Sequence, residues 1–253
     1  MTYKAPNLPQ HKHCFFGRKN GVSKGIYESL NFAFSGRDSA ENLKKNLDIV
    51  AAHFNKTSDK LCHIINRAHT NKVIFVEAPT QREFIADGMV TKNHELLLGV
   101  TAADCLSVLL ADYGNDIIGA CHAGWKGAFT GVVQNTLDLM IEKGAQKESI
   151  IAALGPCMQK ENFEVTSEFV EMFLAKDKSN TKYFTKKDDI HHLFDIEGYV
   201  YDILKNYGIK NISKSGIDTY SNEEEYFSYR RSENKGELDE QSGIPQQISI
   251  ITF

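Results

Sequence analysis

The chain has 253 residues, 42% of them hydrophobic and 25% charged, with a formal net charge of -4; this length can bury a core as one large α/β domain or two small ones, and the charge offers no basic field to a nucleic-acid backbone. The start, MTYKAPNLPQHKHCFFG, lacks an apolar leader core, and the longest apolar stretches are broken by Asp, Gly or Thr before they could span a bilayer. Cys14, Cys62, Cys105, Cys121 and Cys157 stand without C-x-x-C pairing, which fits a reducing compartment, so a cytoplasmic protein is expected, monomeric or weakly dimeric, with neither nucleic acid nor membrane as partner.

Between Ser39 and Phe54, Leu43, Leu47, Val50 and Phe54 recur at helical spacing behind Ser39 as a cap. The centre reads as short buried strands at Val73 to Val76, Leu96 to Thr101, Leu106 to Leu110 and Ile117 to Cys121. After His122 the period changes: Phe129, Val132, Val133, Thr136, Leu137, Met140 and Ile141 share one helical face, and Gly144 is placed to end that helix. A strand follows at Ile150 to Leu154, helices at Thr166 to Ala175 and Ile196 to Tyr207, and a strand at Ile248 to Phe253. The lysine-rich stretch from Lys176 to Asp189 reads as a solvated loop. No internal repeat or Pro/Gly/Ser-rich linker divides the sequence, so one domain over residues 1–253 is expected.

The chemistry-bearing residues concentrate in Ala102-Ala103-Asp104-Cys105 and, seventeen residues on, Cys121-His122-Ala123-Gly124-Trp125-Lys126-Gly127. Adjacent strand pairing would bring Cys105 and His122 to one sheet edge, where a thiolate and an imidazole suit zinc. An inert buried cysteine and a hydrogen-bonded loop histidine are the bland alternatives. Spacing leaves a third ligand open among His53, His63, His69, His94 and the His11/His13/Cys14 group. The polar loop Gly17-Arg18 to Gly25, followed by Ser29-Leu30-Asn31, could approach a ligand with backbone N–H groups or be an ordinary turn. Phe227-Ser228-Tyr229-Arg230-Arg231 sets two guanidinium groups beside aromatics, either to grip phosphate or carboxylate or as a solvated surface strand.

These pieces together, with Arg67-Ala68-His69-Thr70-Asn71-Lys72-Val73, Ala86-Asp87-Gly88-Met89-Val90-Thr91 and Gly155-Pro156-Cys157, resemble the YfiH/PgeF family over almost the whole chain. That family is also called the multicopper polyphenol oxidase or laccase-domain family. The resemblance implies His69, Cys105 and His122 as zinc ligands and a layered α/β (α+β mixed) sandwich of mixed sheets flanked by helices. It implies phosphorolysis of adenosine, inosine, guanosine and S-methyl-5′-thioadenosine, and deamination of adenosine; some members look like peptidoglycan editors that remove L-Ser from UDP-MurNAc-L-Ser. The chain departs from the family pattern at Arg67-Ala68-His69-Thr70 and around Asp218, which bears on substrate preference.

A multicopper oxidase would call for closely spaced histidines near the C-terminus, where this chain has His191-His192 alone, so copper is the less favoured metal. Three protein ligands mark a catalytic rather than a structural zinc, with an open position to activate water for deamination or amide hydrolysis. Phosphorolysis needs cations for the phosphate; Arg18, Arg230, Arg231 and Lys126 are the candidates, with Asn31 a further substrate contact. Cys105 has a catalytic as well as a ligand role in this reading, and Asp87 and Asp104 are candidates to orient a histidine or act as bases.

Overall fold

Alternating and helical apolar periods set out fourteen strands and six α-helices among residues 2–63, 69–79, 85–239 and 243–253, which the computed structural model describes. The chain opens with β1 (Thr2–Tyr3), β2 (His13–Phe16) and α1 (Ala40–Ala52), which Ser39 caps by accepting from Asn42 N. There follow β3 (Leu61–His63), β4 (Val73–Phe75), β5 (Gly88–Thr91), β6 (Leu97–Ala102), β7 (Leu106–Asp112) and β8 (Ile117–Ala123). Next come α2 (Trp125–Thr130), α3 (Val132–Glu142), β9 (Ile151–Leu154), β10 (Glu164–Thr166) and α4 (Ser167–Lys176). The remainder is β11 (Phe184–Lys186), β12 (His191–Phe194), α5 (Ile196–Tyr207), β13 (Asn211–Lys214), α6 (Tyr229–Asn234) and β14 (Gln247–Ile251).

Two mixed sheets pack face to face, in the orders β1-β2-β14-β6-β3 and β13-β9-β7-β8-β5-β4, and a small antiparallel sheet, β10-β12-β11, stands beside them. Strand alternation explains the layering. Leu98 and Val100 of β6 and Ile251 of β14 meet Leu109 of β7 and Ile118 and Ala120 of β8 between the large sheets. The other faces turn outward: Leu97 and Ile250 pack with Val50 and Phe54 at α1, while Val108, Cys121 and Ala123 pack with α3 and α5. The result is helix, sheet, sheet, helix, in agreement with the mixed layered sandwich expected. No helix among the described residues is long and apolar enough to cross a membrane.

Three local expectations are revised. The single helix after His122 is two, because Gly131 at φ 104° ends α2 and starts α3 in a conformation open to glycine; past that break Ile141 is 38% exposed instead of joining the core face. The stretch from Lys176 to Asp189 is not a solvated loop throughout. It holds a 3₁₀ turn (Lys178–Tyr183) and β11, because Tyr183 and Phe184 dock onto Tyr199, Phe173 and Phe194. Finally, Tyr229 to Asn234 is helical, with Ser228 accepting from Arg231 N as its cap.

Candidate metal centre

β7 runs antiparallel to β8 with Ser107 opposite His122. Cys105, one residue ahead of β7, therefore comes beside the end of β8. Strand β5 flanks β8 on its other side, and its lead-in residue Asp87 accepts a backbone bond from His122 N at 2.7 Å. Asp87 also reaches His122 Nδ1 through Oδ1 at 2.9 Å, while Oδ2 accepts from Thr70 N at 2.7 Å and Thr70 Oγ1 at 2.8 Å. One buried carboxylate thus orients His122 and anchors the residue after His69. Burial pushes the Asp87 carboxyl up, but its bonds from His122 and Thr70 outweigh burial and hold it below the ordinary range.

Ligand atoms of His69, Cys105 and His122 lie within 4.8 Å of one another, and the two imidazoles meet edge to face at 5.0 Å. Gly124 makes this approach possible, since a Cβ there would stand 2.8 Å from His69 Nδ1 and 3.1 Å from Cys105 Sγ. With Nδ1 of His122 held by Asp87, Nε2 is the ring nitrogen that would ligate a metal. A thiolate and two imidazoles converging with a carboxylate behind one of them fit a metal held by three protein ligands. The other histidine candidates stand apart. His53 packs on Phe16 and Phe54, His63 stacks on Phe34, His94 stacks on Phe253, and His13 is held by Ala5 N and Pro9 O.

The three donors open into a cleft of about 520 Å³ that Asp104, Arg230 and Gln246 also line. Asp104, at φ 78°, accepts from Thr219 Oγ1 at 2.7 Å, Ser228 Oγ at 2.9 Å and Arg230 N at 2.8 Å. Burial raises its carboxyl above the ordinary range against the pull of those three donors. Occupied on both oxygens, Asp104 acts as the tie between the Cys105 turn and α6. Arg230 extends its guanidinium toward Glu164 O with two contacts of 3.4 Å, longer than a good N–H···O bond.

The remaining candidates lie outside this lining. Arg231 is buried and donates to Thr219 O and Tyr220 O at 2.8 Å and to Tyr226 O at 2.6 Å, so it holds backbone. Arg18 packs over Phe227 and donates to Glu28 O at 2.7 Å and Glu223 O at 3.1 Å. Lys126 is exposed on α2. Asn31 donates to Asp38 Oδ2 at 2.8 Å and receives Ala33 N and Gln246 N, closing the polar loop around Asn46 and Ser23. Asp218 organises a turn through Gln159 N and Ser221 N, and Arg67 lies outside the described residues.

Sequence reasoning gave the aromatics of the cleft no role. Trp125, Phe163, Phe169 and Tyr229 line it, with Trp125 and Phe169 in contact edge to face at 5.0 Å. Trp125 and Tyr229 stood inside sequence motifs without an assignment of their own, and nothing in a linear pattern distinguishes an aromatic that lines a cleft from one that fills a centre. Gln246 carried no signal at all, since it reaches the cleft through the pairing of Gln247 with Ala102.

Known proteins are similar to this one along nearly the whole chain. A Rickettsia conorii protein named purine nucleoside phosphorylase is 35% identical over 218 residues, covering 86% of this chain and 87% of its own length. Escherichia coli YfiH, also named purine nucleoside phosphorylase, is 30% identical over 236 residues, covering 92% and 95%. The crystal structure of a Neisseria meningitidis protein superposes with a TM-score of 0.86 at 26% identity, covering 100% of this chain and 98% of that one. The family described as multi-copper polyphenol oxidoreductase laccase matches residues 12–240, and the chain belongs to it, alongside the YfiH proteins.

Proposed function

We propose that the chain is a zinc-dependent purine nucleoside phosphorylase acting on adenosine, inosine, guanosine and S-methyl-5′-thioadenosine, with adenosine deamination as a second activity. The observation that carries this reading is the convergence of His69, Cys105 and His122 with Arg230 in one cleft of about 520 Å³, a size that suits a nucleoside-sized ligand. The names of the relatives support the same substrate class.

In phosphorolysis a phosphate oxygen bonds to C1′ while the bond from C1′ to N9 breaks, and the electron pair leaves with the purine, which takes up a proton. The Arg230 guanidinium matches two phosphate oxygens bidentately and gives up little to do so, its existing contacts being two of 3.4 Å to Glu164 O and a 4.0 Å ion pair with Glu233, at the limit of such pairing. Asp104 fixes where α6 begins by accepting from Arg230 N, so guanidinium and thiolate are registered to each other. Trp125, Phe163 and Phe169 give the same cleft apolar lining, which excludes water and strengthens its electrostatics. In deamination, water oxygen replaces the 6-amino nitrogen, which leaves as ammonia. A bound zinc ion would supply Lewis acidity to both reactions.

Zinc is favoured over copper because multicopper chemistry needs several ligand clusters, whereas the metal-capable group among the described residues is this His/Cys/His set. Met158 lines the same cleft, and a single copper held by two histidines, a cysteine and a distant methionine is the arrangement that metal analysis must exclude. Protein purified without added metal should carry about one zinc per chain. Offered a panel of nucleosides with and without phosphate, beside UDP-MurNAc-L-Ser, it should release free purine from nucleosides in a phosphate-dependent manner. Tightly bound copper with a blue absorption band, or turnover confined to the UDP-linked substrate, would overturn the proposal.

A further inference from the structure

Gln246 is 8% exposed and lines the metal-bearing cleft. Its backbone is pinned on both sides, N donating to Asn31 Oδ1 at 3.1 Å and O accepting from Phe32 N at 3.0 Å. Its carboxamide, by contrast, has no hydrogen-bond partner among the described residues, while the neighbouring Gln247 is fully engaged, accepting from Phe227 N at 2.8 Å and donating to Phe227 O at 3.2 Å. Its amide atoms are not among the fully buried, unpartnered ones, so they open onto the solvent of the cleft, and a ligand that enters can take over the bonds they make to water there.

The other polar side chains of the cleft have partners or roles. Asp104 accepts three bonds, Glu164 is paired with Lys187, Tyr229 donates to Glu233, Thr166 bonds to Glu168, Arg230 is the anion grip, and His69, Cys105 and His122 form the metal set. Gln246 thus adds a flat donor and acceptor pair to a cleft that Trp125 and Phe169 also line. That combination suits a flat heterocycle whose edge alternates donors and acceptors, with its faces on those aromatics.

Resting on the nucleoside reading above, we propose that the Gln246 carboxamide reads the six-membered edge of the purine. Its rotation by half a turn, which exchanges oxygen and nitrogen, lets one site take both 6-amino and 6-oxo bases. An amide facing a 6-amino group presents its oxygen, and facing a 6-oxo group presents its NH₂. Broad acceptance of adenosine, inosine and guanosine follows from one side chain.

Gln246→Glu tests this, because an ionised carboxylate accepts without donating. The ratio of kcat/KM for adenosine to that for inosine should rise about tenfold or more, in line with the discrimination of a two-point base contact. Calorimetric affinities of the free bases adenine and hypoxanthine should move in the same sense, a readout independent of turnover. Gln246→Leu should weaken both nucleosides and leave their ratio within about threefold. Melting temperature and zinc content of each variant establish that fold and metal are intact. If wild-type protein neither binds nor cleaves purines, the nucleoside reading itself fails. If it does both, and Gln246→Glu weakens adenosine and inosine equally, the carboxamide contacts something common to both, such as the ribose, and the base-reading assignment is overturned while the activity stands.

Discussion

Replacing Gly124 by alanine should weaken metal binding without unfolding the protein. The backbone there, at φ -61° and ψ 160°, is one that alanine adopts freely, so no conformational strain is introduced. The new methyl carbon would lie 2.8 Å from His69 Nδ1 and 3.1 Å from Cys105 Sγ. To reach an ordinary 3.4 Å contact, the imidazole must retreat by about 0.6 Å and the thiolate by about 0.3 Å. Ligand distances in a zinc site hold to about 0.2 Å, so two of three donors would be pushed outside tolerance. A loss of zinc affinity of at least about tenfold is expected, equivalent to about 1.4 kcal/mol. Competition with a chromophoric chelator measures it, while calorimetric melting of the zinc-free protein should shift by no more than about 2–4 °C, because His69 is exposed and has room to move. Unchanged zinc affinity in a folded Gly124→Ala protein would mean that these side chains do not hold the metal together, and the site as drawn would be wrong.

Asp87→Ala should lower zinc affinity by about 10–100-fold, since it frees the His122 ring and the residue after His69 together. In zinc-free protein the Asp87 carboxyl sits below its unfolded value of about 3.9, so its stabilisation is present above that pH and lost as pH falls through the folded value; melting curves of Asp87→Ala across pH 5 to 2 should accordingly show a shallower acid limb than wild type. Arg230→Ala should raise the KM for phosphate about tenfold or more with little change in melting temperature, whereas Arg231→Ala, which strips Thr219, Tyr220 and Tyr226 of a buried donor, should cost about 2–4 kcal/mol of stability and leave phosphate KM in the folded protein near normal.

β7 and β8 were legible because each carries a run of aliphatic residues buried on both faces, whereas the short β5 behind Asp87 was not among the expected strands. His122 and Cys105 could be placed at one edge from that pattern alone. His69 could not, because its position depends on Thr70 bonding to Asp87, a contact between two loops that no period announces. Arg230 and Arg231 looked equivalent in sequence. The cap at Ser228 separates them, turning one into the cleft and the other under three carbonyls. The break at Gly131 was hidden for a similar reason, since the apolar spacing continues across it.

The insertion of β14 between β2 and β6 bears on the order in which the molecule can assemble. Before β14 arrives, β2 and β6 have no common neighbour, and each waits with an unpaired edge while the intervening chain is made. Its arrival joins Ser249 to Phe15 and to Val100 in one step, and it carries Gln246 to the rim of the cleft. Pairings of such wide sequence separation form slowly, since the loop must close before any contact rewards it. Of the three candidate metal donors, Cys105 just ahead of β7 and His122 on β8 belong to a local hairpin and can meet early; the part of the cleft that Gln246 lines is completed only when this strand docks. The topology thus predicts slow refolding in which β7 and β8 amides gain hydrogen-exchange protection before those of β14; simultaneous protection of all three strands would refute that order.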